Sequence, residues 1–184
     1  MTDFPSLDSI HTIVFDFDGV FTDNKVWLDH DGNEFVCCDR GDGLAFDFIR
    51  YFKRKGLLKA ELFVLSKETN SVVLARAKKL KLDCHHGVNN KLNFLTTYFV
   101  EKLPENKNPF KGLVYLGNDL NDLPIIRRAG FSVSPSDAHM LVRKNSHLVM
   151  KEKGGDGFVR KFIEHLLNIN NLSLEEIDEL ISNC

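Results

Sequence analysis

The chain has 184 residues, enough for one core of ordinary size, with 43% hydrophobic and 27% charged positions. Its 24 Lys+Arg face 26 Asp+Glu for a net charge of −2, and no basic run stands out, which argues against a nucleic-acid binder. No stretch approaches a membrane span, and the opening MTDFPSLDSI lacks the basic-then-apolar pattern of a secretory signal, so a cytoplasmic chain without a membrane partner is expected.

Short apolar runs alternate with amphipathic stretches, the pattern of a parallel sheet wrapped by helices. The expected fold is α/β: a three-layer, Rossmann-like parallel sheet with helices on both faces, forming one domain over 1–184. Residues 12–17 read as a first strand, apolar enough to be covered on both faces. Residues 25–28 and 34–38 flank DHDGN, where Asp31-Gly32 supplies turn chemistry, and predict a β-hairpin insert over about 24–39. A helix follows over 42–54, with Leu44, Phe46, Phe48 and Ile49 as apolar positions and Gly56 ending it. Residues 61–65 form a second buried strand, 70–80 a helix, 82–85 a brief strand and 90–102 another helix. LPENKNP is a surface loop. Then come a strand over 112–116, a helix over 120–128, a strand over 131–134, a helix from Asp137, a strand over 147–150 and a helix over 157–168. In the tail, about 172–184, Ser173 can cap one more amphipathic helix with an acidic first turn. Between Ser66 and Lys91 there is room for a helix and a strand only, so no cap domain is expected. The four cysteines, Cys37, Cys38, Cys84 and Cys184, have no CxxC spacing and read as reduced thiols, Cys84 as a packing residue.

Ligands of a parallel sheet bind beyond the carboxyl ends of its strands, which directs attention to the polar residues there. Asp16 and Asp18 follow the first strand in FDFDGVFTD. Side chains two apart on an extended segment share a face, so both carboxylates can point into one pocket while Phe15 and Phe17 pack the other way. Two carboxylates that close repel one another. A divalent cation offsets the repulsion, and Asn118, Asp119 or Asp122 of LGNDLNDLP can complete an oxygen-only site that suits Mg²⁺. Ser66 offers a hydroxyl and Lys91 a positive charge, which together describe a phosphate seat. Bringing a phosphate to a carboxylate costs roughly 4 kcal/mol per pair of unit charges about 4 Å apart at an effective dielectric near 20. Mg²⁺ and Lys91 are the groups available to cancel it.

DFDGVFTD, then LS, then a distant lysine, then GNDLND is similar to the ordered motifs of the haloacid-dehalogenase-like phosphatases, over nearly the whole chain. The pieces DRGDG, LSKETNSVVLARAKKLKLDC, NNKL and GGDGFVRKFIEHL resemble its small capless subfamily acting on 3-deoxy-ulosonic acid phosphates. That subfamily includes the octulosonate 8-phosphate phosphatases and the sialic-type (acylneuraminate) 9-phosphate phosphatases. The resemblance implies a Mg²⁺-dependent phosphatase in which Asp16 attacks phosphorus, Asp18 acts as acid and then base, and Ser66 and Lys91 hold the phosphoryl oxygens. It implies Mg²⁺ on the Asp16 side chain, the Asp18 carbonyl and the 118–122 loop, where Asn118 stands in place of the usual aspartate and predicts weaker affinity. It also implies a homotetramer built through the hairpin, with Trp27, Phe35 and Val36 as contact residues, and a possible cytidylyltransferase partner.

Several positions admit two readings. Lys67 and Glu68 contact the sugar or open a helix. Arg160 binds a substrate carboxylate or forms a surface ion pair. Asp122 ligates the cation or orients Lys91. Asp42 supports the site or caps its helix. Asn118 also keeps open a catalytically weakened copy serving as an assembly domain for an acylneuraminate cytidylyltransferase.

Overall fold

The computed structural model describes residues 4–183; Cys184 lies outside them. In chain order the elements are β1 (Thr12–Phe15), the hairpin of β2 (Trp27–Leu28) and β3 (Glu34–Phe35), α1 (Asp42–Arg54), β4 (Glu61–Leu65), α2 (Ser71–Leu80), β5 (Asp83–His85) and α3 (Lys91–Lys102). They continue with β6 (Leu113–Leu116), α4 (Leu123–Ile126), β7 (Phe131–Ser134), α5 (Met140–Asn145), β8 (Leu148–Val149), α6 (Phe158–Leu166) and α7 (Leu174–Ser182).

The main sheet runs β5-β4-β1-β6-β7-β8, with every neighbouring pair parallel. The chain leaves β1 toward β4 and β5, then returns to lay β6, β7 and β8 on the other side. This reversal opens a crevice at the carboxyl end of β1. All four residues of β1 are buried, as a strand covered on both faces requires. Ile13 and Phe15 enter one apolar layer with Phe46 of α1, Val73 of α2 and Phe162 of α6. Val14 enters the other with Tyr115 of β6, Leu95 and Phe99 of α3, and Val142 of α5. Three layers result from this alternation. Cys84 packs partly against the first layer, and Cys37, Cys38 and Cys84 are free thiols. No helix among the described residues is long and apolar enough to cross a membrane.

The differences from expectation are local. β1 stops two residues early because the Phe17 carbonyl accepts the N–H groups of Val20 and Phe21 at 3.2 and 2.9 Å, curling 17–21 into a turn. The helix expected over 120–128 contracts to α4. Pro124 stands in its first turn, and the Ile125 carbonyl takes both the Arg128 and Ala129 N–H groups at 2.8 Å, closing it off. The helix expected from Asp137 begins at Met140 with the His139 side chain as its cap, because Asp137 Oδ1 instead accepts the Gly154 N–H at 3.1 Å. The hairpin strands shrink to two residues each, pairing Trp27 with Phe35, and Trp27 is 74% exposed. Glu34 of the hairpin accepts from Asn70 Nδ2 at 2.9 Å, which ties it to the cap of α2. Ser173 and Glu176 form a reciprocal capping box on α7.

Glycines let one segment lie across another. The Gly155 N–H donates to the Val20 carbonyl at 3.1 Å, and a Cβ on Gly154 would stand 2.0 Å from the Gly19 carbonyl oxygen. Residues 154–155 therefore press on the loop that carries Asp18.

Candidate active site

The carboxyl ends of β1, β4 and β6 meet at a polar cavity of about 460 Å³. Asp16, Asp18, Ser66, Lys67, Glu68, Asn118 and Asp119 line it, with the carboxamides of Asn24, Asn89 and Asn121 completing the wall. Beneath it lies Lys91, the first residue of α3, 2% exposed. The Asn90 side chain caps that helix by accepting the Asn93 N–H at 2.9 Å, which fixes where Lys91 begins. Lys91 Nζ stands 2.6 Å from Asp16 Oδ1 and 2.8 Å from Asp122 Oδ1.

Burial first, and the neighbouring Asp122 charge second, push the Asp16 carboxyl up to about 8, against the pull of Lys91. Burial also works against the Lys91 charge, yet the two carboxylates hold its ammonium above the usual lysine value. Burial would raise Asp122 as well, but Lys91 and Tyr115 keep it below the usual carboxylate value. Asp18 is half-buried. Its carboxyl is raised by burial and then by the charge of Glu68, with Lys91 opposing and Glu34 adding to the rise. The two members of the DxD pair thus differ. Both carboxyls are raised, but Asp16 is bound to an ammonium, and no ion pair among the described residues engages Asp18.

Ser66 is fully buried at the end of β4. Its N–H goes to the His85 carbonyl at 2.9 Å and its Oγ accepts the Glu68 N–H at 3.0 Å, leaving the hydroxyl proton for a ligand. Glu68 also accepts the N–H groups of Thr69 and Asn70, so it both opens the α2 segment and lines the cavity.

Among the described residues no three His, Cys, Asp or Glu side chains converge as a cation site. The donor set is instead mixed. Asn118 Oδ1 is buried without a hydrogen-bond partner. An orphaned carboxamide oxygen beside two carboxylates fits a hard cation that takes a few protein oxygens plus water, such as Mg²⁺. Gly19, at φ +76°, makes room for it. A Cβ there would lie 1.8 Å from Asn118 Nδ2, so only glycine lets the amide cross the loop. The Thr22 hydroxyl holds the same loop by accepting the Gly19 and Asn24 N–H groups, both at 3.2 Å. Asp119 lines the cavity, but its Oδ1 is taken by the Leu120 N–H at 2.7 Å.

Two expectations change. Asp122 is fully buried, and its oxygens are occupied by Lys91, the Tyr115 hydroxyl and the N–H groups of Asn118 and Asp119. It orients Lys91 and the loop, and presents no oxygen to the cavity. Arg160 lies along its own helix, with Nε donating to Glu164 Oε1 at 2.6 Å and its guanidinium 5.6 Å from the Phe48 ring centre. The i,i+4 spacing captures it, and it does not line the cavity. Asp42 is buried at the start of α1, 3.5 Å from Arg76, with its carboxyl pushed up to about 7, mainly by burial. Sequence reasoning missed Thr22 and Tyr115. The signal for Tyr115 was a hydroxyl on an otherwise apolar strand, which demands a buried partner.

The buried Lys91 ammonium is a seat for an anion, and the topological switch point brings it the Asp16 carboxyl, a hydroxyl and the second carboxyl of Asp18. That combination on a doubly wound sheet defines a hydrolase that handles phosphoryl groups. No family model matches the sequence. A HAD (haloacid-dehalogenase-like) family hydrolase from Streptomyces avermitilis superposes with a TM-score of 0.82 at 35% identity, over 95% of this chain and 96% of that one. The chain belongs to this family, and it is a phosphatase. The 3-deoxy-D-manno-octulosonate 8-phosphate phosphatase KdsC of Escherichia coli is 29% identical over 164 residues, 87% of this chain and 80% of that protein. The same phosphatase from Moraxella catarrhalis, solved with magnesium, phosphate and KDO, aligns at TM-score 0.77 and 26% identity over 89% of this chain and 88% of that one.

Proposed function

We propose that the protein hydrolyses the phosphomonoester of a 3-deoxy-ulosonic acid phosphate, with octulosonate 8-phosphate as the first substrate to test and sialic-type 9-phosphates as the second. The observation that carries the reading is Lys91 Nζ held 2.6 Å from Asp16 Oδ1 beneath a cavity that also presents Asp18, Ser66 and Asn118. The names of the similar phosphatases support the choice of sugar.

In this reading Asp16 attacks phosphorus and forms an aspartyl-phosphate while the ester oxygen leaves. Asp18, whose raised carboxyl keeps its proton more readily than an ordinary aspartate, gives that proton to the leaving oxygen. It then takes a proton from water as the water attacks phosphorus, releasing inorganic phosphate and restoring Asp16. Ser66 and Lys91 hold phosphoryl oxygens. Asp16, the Asp18 carbonyl and Asn118 would hold Mg²⁺, which supplies charge neutralisation between carboxylate and phosphate. Lys67 and Glu68 sit on the cavity wall where a sugar's hydroxyls would reach them. We place the enzyme in the cytoplasm as a homotetramer joined through the exposed hairpin at Trp27 and Phe35, with a cytidylyltransferase as a further partner.

The test is a phosphatase assay with Mg²⁺ or EDTA on octulosonate 8-phosphate, a sialic-type 9-phosphate and small generic esters. Turnover of a sugar-acid phosphate that vanishes in EDTA and in Asp16→Asn is the expected result. Near-native turnover by Asp16→Asn removes it as the nucleophile. A wild type inactive on every ester leaves the assembly-domain reading in its place.

A further inference from the structure

Lys91 has three N–H donors. One reaches Asp16 Oδ1 at 2.6 Å and one reaches Asp122 Oδ1 at 2.8 Å, which leaves the third for a phosphoryl oxygen entering the cavity. Asp122 has no such reserve. Its Oδ1 also accepts the Tyr115 hydroxyl at 2.6 Å, and its Oδ2 accepts the N–H groups of Asn118 at 3.0 Å and Asp119 at 3.3 Å. A carboxylate offers about four lone-pair sites, so all of them are filled. Tyr115 itself is fully buried in β6, its ring in the apolar layer with Val14, Phe63 and Leu95. Phenylalanine would fill the same space. The hydroxyl is therefore not explained by packing, and its partner is the carboxylate that holds the lysine.

We propose that Tyr115 is a positioning residue for phosphoryl transfer: by filling one site on Asp122 Oδ1 it keeps Lys91 from settling onto Asp122 and holds the ammonium forward against Asp16. Without the hydroxyl, Oδ1 has a vacant site that draws the third Lys91 donor inward, away from the incoming phosphoryl oxygens. The same carboxylate grips the loop of Asn118 and Asp119, so Tyr115 acts on both sides of the cavity through one group. This inference rests on the phosphoryl-transfer reading above.

The experiment compares wild type, Tyr115→Phe, Asp122→Asn and the double variant, with Mg²⁺ present. Turnover is followed on p-nitrophenyl phosphate and orthovanadate binding by calorimetry, which reads Lys91 without turnover. Tyr115→Phe should lower kcat about tenfold with KM changed far less, and weaken vanadate binding by a similar factor, as expected for one lost hydrogen bond to a charged group. Added to Asp122→Asn, it should lower neither quantity further. Tyr98→Phe, which removes a tyrosine–carboxylate bond away from the cavity, to Glu61, should change neither. A Tyr115→Phe enzyme that melts lower but keeps native kcat and vanadate affinity overturns the proposal. Losses that multiply in the double variant overturn it too. Should Tyr115→Phe fail to fold, Asp122→Asn alone decides the matter, since native kcat and native vanadate affinity in that variant refute a route through Asp122. If the wild type is inactive, or Asp16→Asn stays active, the phosphoryl-transfer reading has failed instead.

Discussion

Replacing Gly19 with alanine separates two demands that the structure makes of one residue. The first is conformational. At φ +76° an L-residue is in the left-handed region, which costs about 1–2 kcal/mol. The second is steric. The new Cβ would lie 1.8 Å from Asn118 Nδ2 and 2.5 Å from its Cγ, a contact relieved only if the Asn118 side chain swings away. Rotation of a side-chain end adds little to the folding cost, so the melting temperature should fall by roughly 2–8 °C for a chain of this size. The functional cost is larger, because Asn118 Oδ1 leaves the Asp16–Asp18 side of the cavity. Gly32→Ala is the matched control. Its φ is +80°, but nothing stands within 4 Å of its Cβ position, so it carries the backbone penalty alone. Thermal melts across a Mg²⁺ series read both effects, since a cation bound only by the folded state raises the midpoint. Both variants should melt lower in EDTA, but only Gly19→Ala should lose most of the Mg²⁺-induced rise and most of its phosphatase activity. A Gly19→Ala protein with native Mg²⁺ response and turnover would refute the argument that Asn118 requires this glycine.

Asn118→Asp adds a third carboxylate beside Asp16 and Asp18. It should lower the melting temperature in EDTA and reduce the Mg²⁺ concentration at half-saturation about tenfold, measured by calorimetry; an unchanged half-saturation counts against Asn118 as a ligand. Asp42 binds its proton more tightly in the folded chain, with a carboxyl at about 7 against an ordinary 3.8. Its contribution is therefore greatest at low pH and is lost as pH rises through that window, up to about 4 kcal/mol. Urea melts of wild type and Asp42→Asn at roughly pH 5 and pH 8 should show the wild type losing more stability than the variant; parallel profiles would dismiss the assignment. Ser173→Ala removes one half of the α7 capping box and should destabilise by about 1 kcal/mol without touching turnover, as followed by thermal melts and the phosphatase assay. A change in kcat would mean that α7 reaches the site.

Where the sequence was legible, one local rule decided the outcome. The run at 61–65 is apolar after Glu61 and that at 131–134 alternates Phe131 and Val133 with serines; each forms a strand with the expected ends, and only Glu61 and Leu62 among them are not fully buried. The helix over 42–54 also appears with its expected ends, because its apolar spacing runs to Phe52 and Gly56, at φ +73°, stops it just beyond Arg54. The boundaries moved where a distant group competed. Asp137, a good helix cap by type, is drawn off by Gly154, and the cap passes to His139. The site divides in the same way. Asp16, Asp18, Ser66, Asn118 and Asp119 gather because each ends a strand or starts the loop beyond it. For Asp122 and Arg160 the sequence left two readings open each. Both are decided by which donor or acceptor lies nearest in space: Tyr115 and Lys91 for one, Glu164 for the other. The amide of Asn118 lying across Gly19 was not legible, because the two are neighbours only in the fold.

The contact of Gly154 and Gly155 with the Gly19–Asp23 loop joins two stretches of chain separated by most of the protein's length. It makes the glycine pair a spacer of fixed thickness behind Asp18. A side chain introduced at either position acts as a wedge, and the displacement it causes is delivered to the floor of the cavity without altering a single group that faces it.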